Sequence, residues 1–168
     1  MDIRSEPGAE VGELFKDGIR RIRKYKTRQL HLMSHEIDED FVKSFIKPYF
    51  TTVHLLLDRE ALRRDRRRKA GSWRALVELS ATYGKKRLTI RQGSNVRTTL
   101  LLAATRRGAR FALVSDMPAL GRLWSEGAAE PRLTMLTRDA AELALLQKSF
   151  NEVAEAARLV KLRKVKAK

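Results

Sequence analysis

Residues 29–58 read QLHLMSHEIDEDFVKSFIKPYFTTVHLLLD, and two apolar runs frame the stretch. Gln29 to Ser34 is short and apolar-rich, and Thr52 to Asp58 is β-branched and apolar. Both have the pattern of buried strands. Between them Asp38 opens a helix that runs to about Pro48, with Phe41, Phe45 and Ile46 as its inner face. A proline at that point stops a helix. Strand, helix and strand in this order predict a right-handed βαβ unit and a parallel sheet.

Toward the N-terminus, Val11, Leu14, Phe15, Gly18, Ile19, Ile22 and Tyr25 recur at helical spacing. They predict an amphipathic helix over 10–26 whose outer face is basic: Lys16, Arg20, Arg21, Arg23 and Lys24. Glu10 and Glu13 early in the helix and Lys24 and Lys26 late suit its dipole. Residues 1–9 read as a polar tail without signal-peptide character.

Toward the C-terminus, residues 59–69 hold seven basic and two acidic side chains. Gly71-Ser72 breaks the stretch. Ser72 is expected to cap a helix over 73–83 that buries Trp73, Leu76, Val77 and Leu79, and Gly84 to end it. Strands follow over 87–91, 98–105 and 110–115, read as an antiparallel set joined by turns at 92–95 and 106–108. The strand 98–105 is almost wholly apolar, which places it centrally. A short helix over 117–125 and a strand over 132–136 precede a final helix from Asp139. That helix carries Ala140, Leu143, Leu146, Phe150, Val153 and Ala157 on one face. The last eleven residues, from Arg158, carry six basic residues and no acid, and either extend the helix or form a basic tail over 159–168. There is no internal repeat, so residues 10–158 read as one α/β domain.

Composition narrows the chemistry. The chain has 168 residues and no cysteine, which excludes disulfides, thiolate zinc sites and cysteine nucleophiles. No apolar run approaches the roughly 20 residues of a membrane span, so the expectation is a cytoplasmic protein with no membrane partner. Lys and Arg number 36 against 20 Asp and Glu, for a net charge of +16. A surface this basic gains by displacing counterions from phosphates, which makes nucleic acid, DNA or RNA, the first expected partner. An acidic protein in a larger assembly is the alternative.

Three further stretches bear on the comparison with known folds. Leu14 to Ile19 leads into Leu30 to Ser34. Thr99 to Ala104 is followed by Phe111 to Asp116. Thr137 to Ala140 leads into Phe150, Asn151 and Glu152. In this order of elements they resemble the opening, the catalytic strand pair and the closing helix of one half of a phospholipase D-like protein. That family includes phosphodiesterases and nucleases with paired His-Lys-Asp motifs. The resemblance covers about residues 10–158 and implies a mixed sheet with helices on both faces. It also implies that two copies, or one copy and a larger partner, meet across the active-site face.

The family's motif is absent. Arg97 stands at the histidine, Thr99 at the lysine and Ala104 at the aspartate; Ser115-Asp116 replaces Gly-Ser, and Pro118 replaces the asparagine. A guanidinium stays protonated and cannot attack phosphorus. Threonine brings no positive charge to a phosphoryl group. The expectation is therefore a non-catalytic domain without cofactor, in which Arg97 and Arg91 face a polar floor of Thr98 or Thr99 as a cationic phosphate seat.

Two basic regions extend this candidate site. Lys85 to Ser115 carries eight basic side chains, Arg106 and Arg107 among them, and no acid. Arg63, Arg64, Arg66, Arg67, Arg68 and Lys69 crowd too closely to share one helical face, so they must be largely exposed. They form either a solvated helix or an arm that closes on a nucleic-acid backbone. Trp73 beside them is a core residue or a base-stacking platform. Gly93-Ser94-Asn95 is a plain turn or an anion nest.

No Ser-His-Asp spacing or Gly-x-Ser-x-Gly elbow occurs. His31 on a strand and His35 four residues later stand too far apart to share a metal. His54 reads as a core histidine. Asp58 and Asp116 end strands, where active sites of α/β sheets lie. An active phosphodiesterase built on His31 or His35 with Asp38 is the catalytic alternative.

Overall fold

A computed structural model describes residues 2–4, 9–24, 27–105, 110–125 and 133–162. The elements in chain order are β1 (Asp2–Arg4), α1 (Ala9–Lys24), β2 (Thr27–Ser34) and α2 (Glu39–Phe41), which continues as a π-helical turn over Val42–Ile46. Then come β3 (Thr52–Asp58), α3 (Arg59–Arg68), α4 (Gly71–Arg87), β4 (Leu88–Gly93), β5 (Thr99–Thr105) and β6 (Arg110–Ser115). The last are α5 (Gly121–Ser125), β7 (Thr134–Thr137), α6 (Ala140–Ala156) and β8 (Arg158–Leu159).

The strands form one mixed sheet in the order β1-β7-β6-β5-β2-β3-β4-β8. β2, β3 and β4 are parallel, with His31 beside His54 and His54 beside Thr89. The other neighbouring pairs are antiparallel. Strand alternation sorts the core into two faces. Leu30, Leu32, Leu55, Leu57, Ile90, Leu101 and Leu113 pack with Phe41, Phe45, Leu76 and Trp124 of the helices on one face. Met33, Leu56, Leu100, Leu102 and Ala112 meet Leu143, Leu146 and Phe150 of α6 on the other.

The strands 87–91, 98–105 and 110–115 do not form a three-stranded antiparallel set. β4 pairs with β3, in parallel, while β5 crosses to the free side of β2. The physical reason is burial. β5 is apolar on both faces, and only the middle of the sheet covers both. Residues 92–95 therefore begin a crossover past the end of β3 and do not make a hairpin turn. Asn95 takes the left-handed conformation there, with φ 56°.

Four smaller expectations also change. Ser72 does not cap α4: Ala70 is its N-cap residue, and the Ser72 hydroxyl donates to Asp65 at 2.9 Å, tying α4 to α3. Gly84, with φ 69°, does interrupt the helix, but a further turn follows to Arg87. The stretch 1–9 is not all tail, because β1 pairs with β7. Nor does a tail begin at 159. α6 ends at Ala156, the chain turns into β8 on the edge of β4, and Val160 N–H donates to Ile90 O at 2.8 Å.

Asp38 fastens α2 to α5. Its Oδ1 accepts from Phe41 N at 2.8 Å and from Gly121 N at 2.9 Å. The contact is close: a Cβ on Gly121 would lie 2.6 Å from Asp40 Cβ. Gly121→Ala is expected to destabilise the fold by about 1–3 kcal/mol through overpacking. Urea denaturation checks this, and an unchanged midpoint would contradict the tight α2–α5 contact.

Candidate nucleic-acid interface

α3 leaves the sheet at the carboxyl end of the parallel strands because Asp58 caps it. The buried Asp58 Oδ2 accepts from Glu60 N and Ala61 N at 3.2 and 3.3 Å, and Oδ1 accepts from Val96 N at 3.2 Å. One carboxylate thus starts α3 and holds the crossover from β4 to β5. Ala61 and Leu62 are the buried residues of α3. Arg63, Arg64, Arg66, Arg67, Arg68 and Lys69 are all exposed; the five arginines lie on α3, and Lys69 ends it in the left-handed conformation. Arg64 pairs with Glu36 at 3.3 Å and Asp65 at 3.2 Å, and Arg63 lies 3.9 Å from Glu60. Among the described residues, Arg66, Arg67, Arg68 and Lys69 have no carboxylate within 4 Å. Three arginines in the last turn of α3 also oppose the negative end of its dipole.

A groove of about 770 Å³ runs between α3, the start of α4 and β8. Its lining is Leu62, Arg63 and Arg66 from α3, Trp73 from α4, Gln92 from β4, and Arg158, Leu159, Val160 and Lys161 from the edge. Four of these are cations and none is a carboxylate. Gln92 sits opposite Arg158 in the β4–β8 register. The Arg66 guanidinium stands 5.6 Å from the centre of the Trp73 ring, within cation–π range. Trp73 is partly buried, packing against the core with one part and facing the groove with another.

The seat expected at Arg97 and Thr99 is built differently. Arg97 and Thr98 are exposed at the carboxyl edge, but Thr99 is buried and its hydroxyl donates to Met117 O at 2.6 Å. Ser34, Thr99, Ser115 and Thr134 place a row of buried hydroxyls at this end of the sheet. The segment 117–119 closes over it. Met117 N donates to Ser115 Oγ at 3.2 Å and Ala119 N to Ser34 Oγ at 3.1 Å. Thr99 thus joins a loop to the sheet and offers no hydroxyl to a ligand.

Arg91 faces α6. Its Nη1 donates to Ala154 O at 3.3 Å and Ala157 O at 3.4 Å, closing the end of that helix. Arg87 does the same for α4, donating to Tyr83 O and Thr82 O. Among the described residues, the cations of the tract from Lys85 to Ser115 are therefore not gathered at one site. Arg106 and Arg107 lie outside the described residues.

The histidines separate too. His35 Nδ1 is 2.9 Å from Val96 O, so it carries the proton and donates; the nearest carboxylate is Asp58, at 4.0 Å. Asp38 holds α2 and α5 through Oδ1, and among the described residues the carboxylate found within 4 Å of a histidine is Asp58 and not Asp38. His31 and His54 stack at 4.5 Å under α6, and His31 meets the edge of Phe150 at 5.2 Å. Two face-to-face rings cannot both direct a ring nitrogen at one metal. Among the described residues, no three His, Asp or Glu side chains converge on a metal position.

Burial, then the neighbouring His54, then Arg110 hold the His31 imidazole down to about 4 from 6.5. Burial, then Arg91, also lowers His54. A lowered histidine contributes stability that is complete above 6.5 and disappears as pH falls toward 4, because the unfolded chain takes the proton first. His31 would contribute at most about 3 kcal/mol, and partial solvent access cuts that to about 1–2 kcal/mol. His31→Leu is expected to flatten the stability profile between pH 6.5 and 4 in urea titrations at each pH. A variant as acid-sensitive as the parent would contradict this.

Sequence reasoning found the α3 cations but missed Arg158 and Lys161 as their partners. The signal was present only as a basic stretch after α6; the β4–β8 pairing that brings it to α3 is long-range. No helix among the described residues is long and apolar enough to cross a membrane. No protein-family model matches the chain, and no curated protein matches it either.

Proposed function

We propose that this protein is a non-catalytic nucleic-acid-binding domain that holds the phosphate backbone in the groove between α3 and β8. The observation that carries the reading is the convergence of Arg63, Arg66, Arg158 and Lys161 on one concavity with no carboxylate in its lining. Apart from Arg63, which lies 3.9 Å from Glu60, these cations have no carboxylate within 4 Å among the described residues; together they attract a polyphosphate, and arginine forks suit its oxygens. The net charge of +16 adds a long-range pull. Such contacts fix position and carry little sequence information.

A degenerate phospholipase D-like fold is part of the proposal. Its support is the succession of α1, β2, α2, β3, α4, β4 to β6, α5, β7 and α6, which follows the element order behind the resemblance with α3 and the edge strands β1 and β8 added. Arg97 and Thr99 occupy the positions of the family's histidine and lysine, which supports binding without cleavage. The same resemblance carries a second copy or a larger partner.

The test is fluorescence anisotropy with labelled DNA and RNA oligonucleotides across a range of salt. Four phosphate contacts give a log–log slope of about −3 to −4. Binding that ignores salt, or no binding at all, would overturn the reading. Retention of an acidic protein after nuclease treatment would favour an assembly subunit instead.

A further inference from the structure

We infer that the strand held in the groove is single, with an unpaired base stacked on Trp73; this rests on the nucleic-acid reading above. The groove is only partly cationic. Arg63 and Arg66 line one wall, and Arg158 and Lys161 the other. The lining also holds Leu62, Leu159 and Val160, which offer a phosphate nothing, and Trp73 and Gln92, whose ring face and amide edge suit a base. A duplex presents phosphates outward and hides the faces of its bases, so the apolar lining and the Trp73 ring face would meet no partner on it. An unpaired base offers a π face to the indole and polar edges to the Gln92 amide, which both donates and accepts.

Two features show that the position is available. The Arg66 guanidinium, a flat group, already stands 5.6 Å from the Trp73 ring centre. Arg66 is exposed and has no carboxylate partner among the described residues, so it is free to turn from the ring to a phosphate. At about 770 Å³ the groove also falls within the range of ligand pockets. That is room for a nucleoside.

The experiment uses three probes of one length with the full chain: a deoxythymidine strand, its duplex with deoxyadenosine, and an abasic strand. The readouts are anisotropy and tryptophan emission. The chain has two tryptophans, and Trp124 is fully buried with its indole N–H on Pro118 O at 2.8 Å, so quenching by a base reports Trp73. The expected result is quenching by the base-bearing strand and about tenfold tighter binding of that strand than of the duplex. Trp73→Leu keeps an apolar side chain against the core. It is expected to lose about tenfold on the thymidine strand and less than twofold on the abasic one. Equal or tighter binding of the duplex, no quenching in the unmodified protein, or the same loss on both strands would overturn the inference. If all three probes bind alike with a steep salt slope, the single-strand inference alone fails. If none binds, the nucleic-acid reading fails with it.

Discussion

Replacing Arg63, Arg66, Arg158 and Lys161 together by alanine is expected to weaken oligonucleotide binding about a thousandfold at 0.1 M salt. Each unit of log–log slope is worth about tenfold between 0.1 and 1 M, and four contacts supply a slope of about 3 to 4. The variant's slope should accordingly fall toward zero. The loss should not depend on base sequence, because phosphate contacts carry none. A charge-matched control comes from α1, which packs on β7 and β1 at the other end of the sheet. Replacing Lys16, Arg20, Arg23 and Lys24 there removes the same net charge. If total charge alone governed binding, both variants would lose equally. A local groove predicts a loss confined to the first, and anisotropy titrations of both variants side by side decide between them.

The second large effect concerns Asp58. Asp58→Ala removes the cap of α3 and leaves the buried Val96 N–H without its acceptor. A lost cap costs about 1 kcal/mol, and an orphaned buried donor costs about 1–3 kcal/mol more. For a chain of this size the melting temperature should fall by roughly 5–15 °C, followed by circular dichroism. Asp58→Asn retains only one accepting oxygen and turns an NH2 on the other donor, so it should lose about half as much or more. Because the same carboxylate aims α3 and pins the crossover, the alanine variant should also lose groove affinity before it unfolds. A melting temperature within about 2 °C of the parent would mean that other contacts set the direction of α3.

The two effects draw on different layers of legibility. β3 was readable to the residue, since Thr52 to Asp58 is a β-branched apolar run followed at once by charge. The central place of β5 was readable from its apolar faces, and Asp38 and Asp139 were readable as helix starts. Strand neighbours were less so. Nothing local to residues 92–98 distinguishes a hairpin from a crossover; burial of both faces of β5 in the middle of the sheet decides it, and the Asp58 carboxylate, far back in the chain, holds the crossover in place.

The site divided in the same way. The crowding of Arg63 to Lys69 forced exposure whatever the backbone did, and that expectation holds on α3. Thr99 stands at the family's lysine position, and with Thr98 it is the floor that the resemblance implies for a phosphate seat. Its burial under Met117 is a tertiary fact with no local sign. Arg91 looked free for the same reason, and instead closes the end of α6. Arg158 and Lys161 became half of the groove only when β8 turned back onto β4.

Photo-cross-linking maps the contact most directly. A strand carrying photoreactive thymidine is irradiated with the protein at moderate salt, and the modified peptides are identified by mass spectrometry. Adducts should concentrate in 62–73 and 158–161, the two walls of the groove. Adducts gathered instead on α1, or around Arg97 at the carboxyl edge with the groove unmodified, would contradict the assignment.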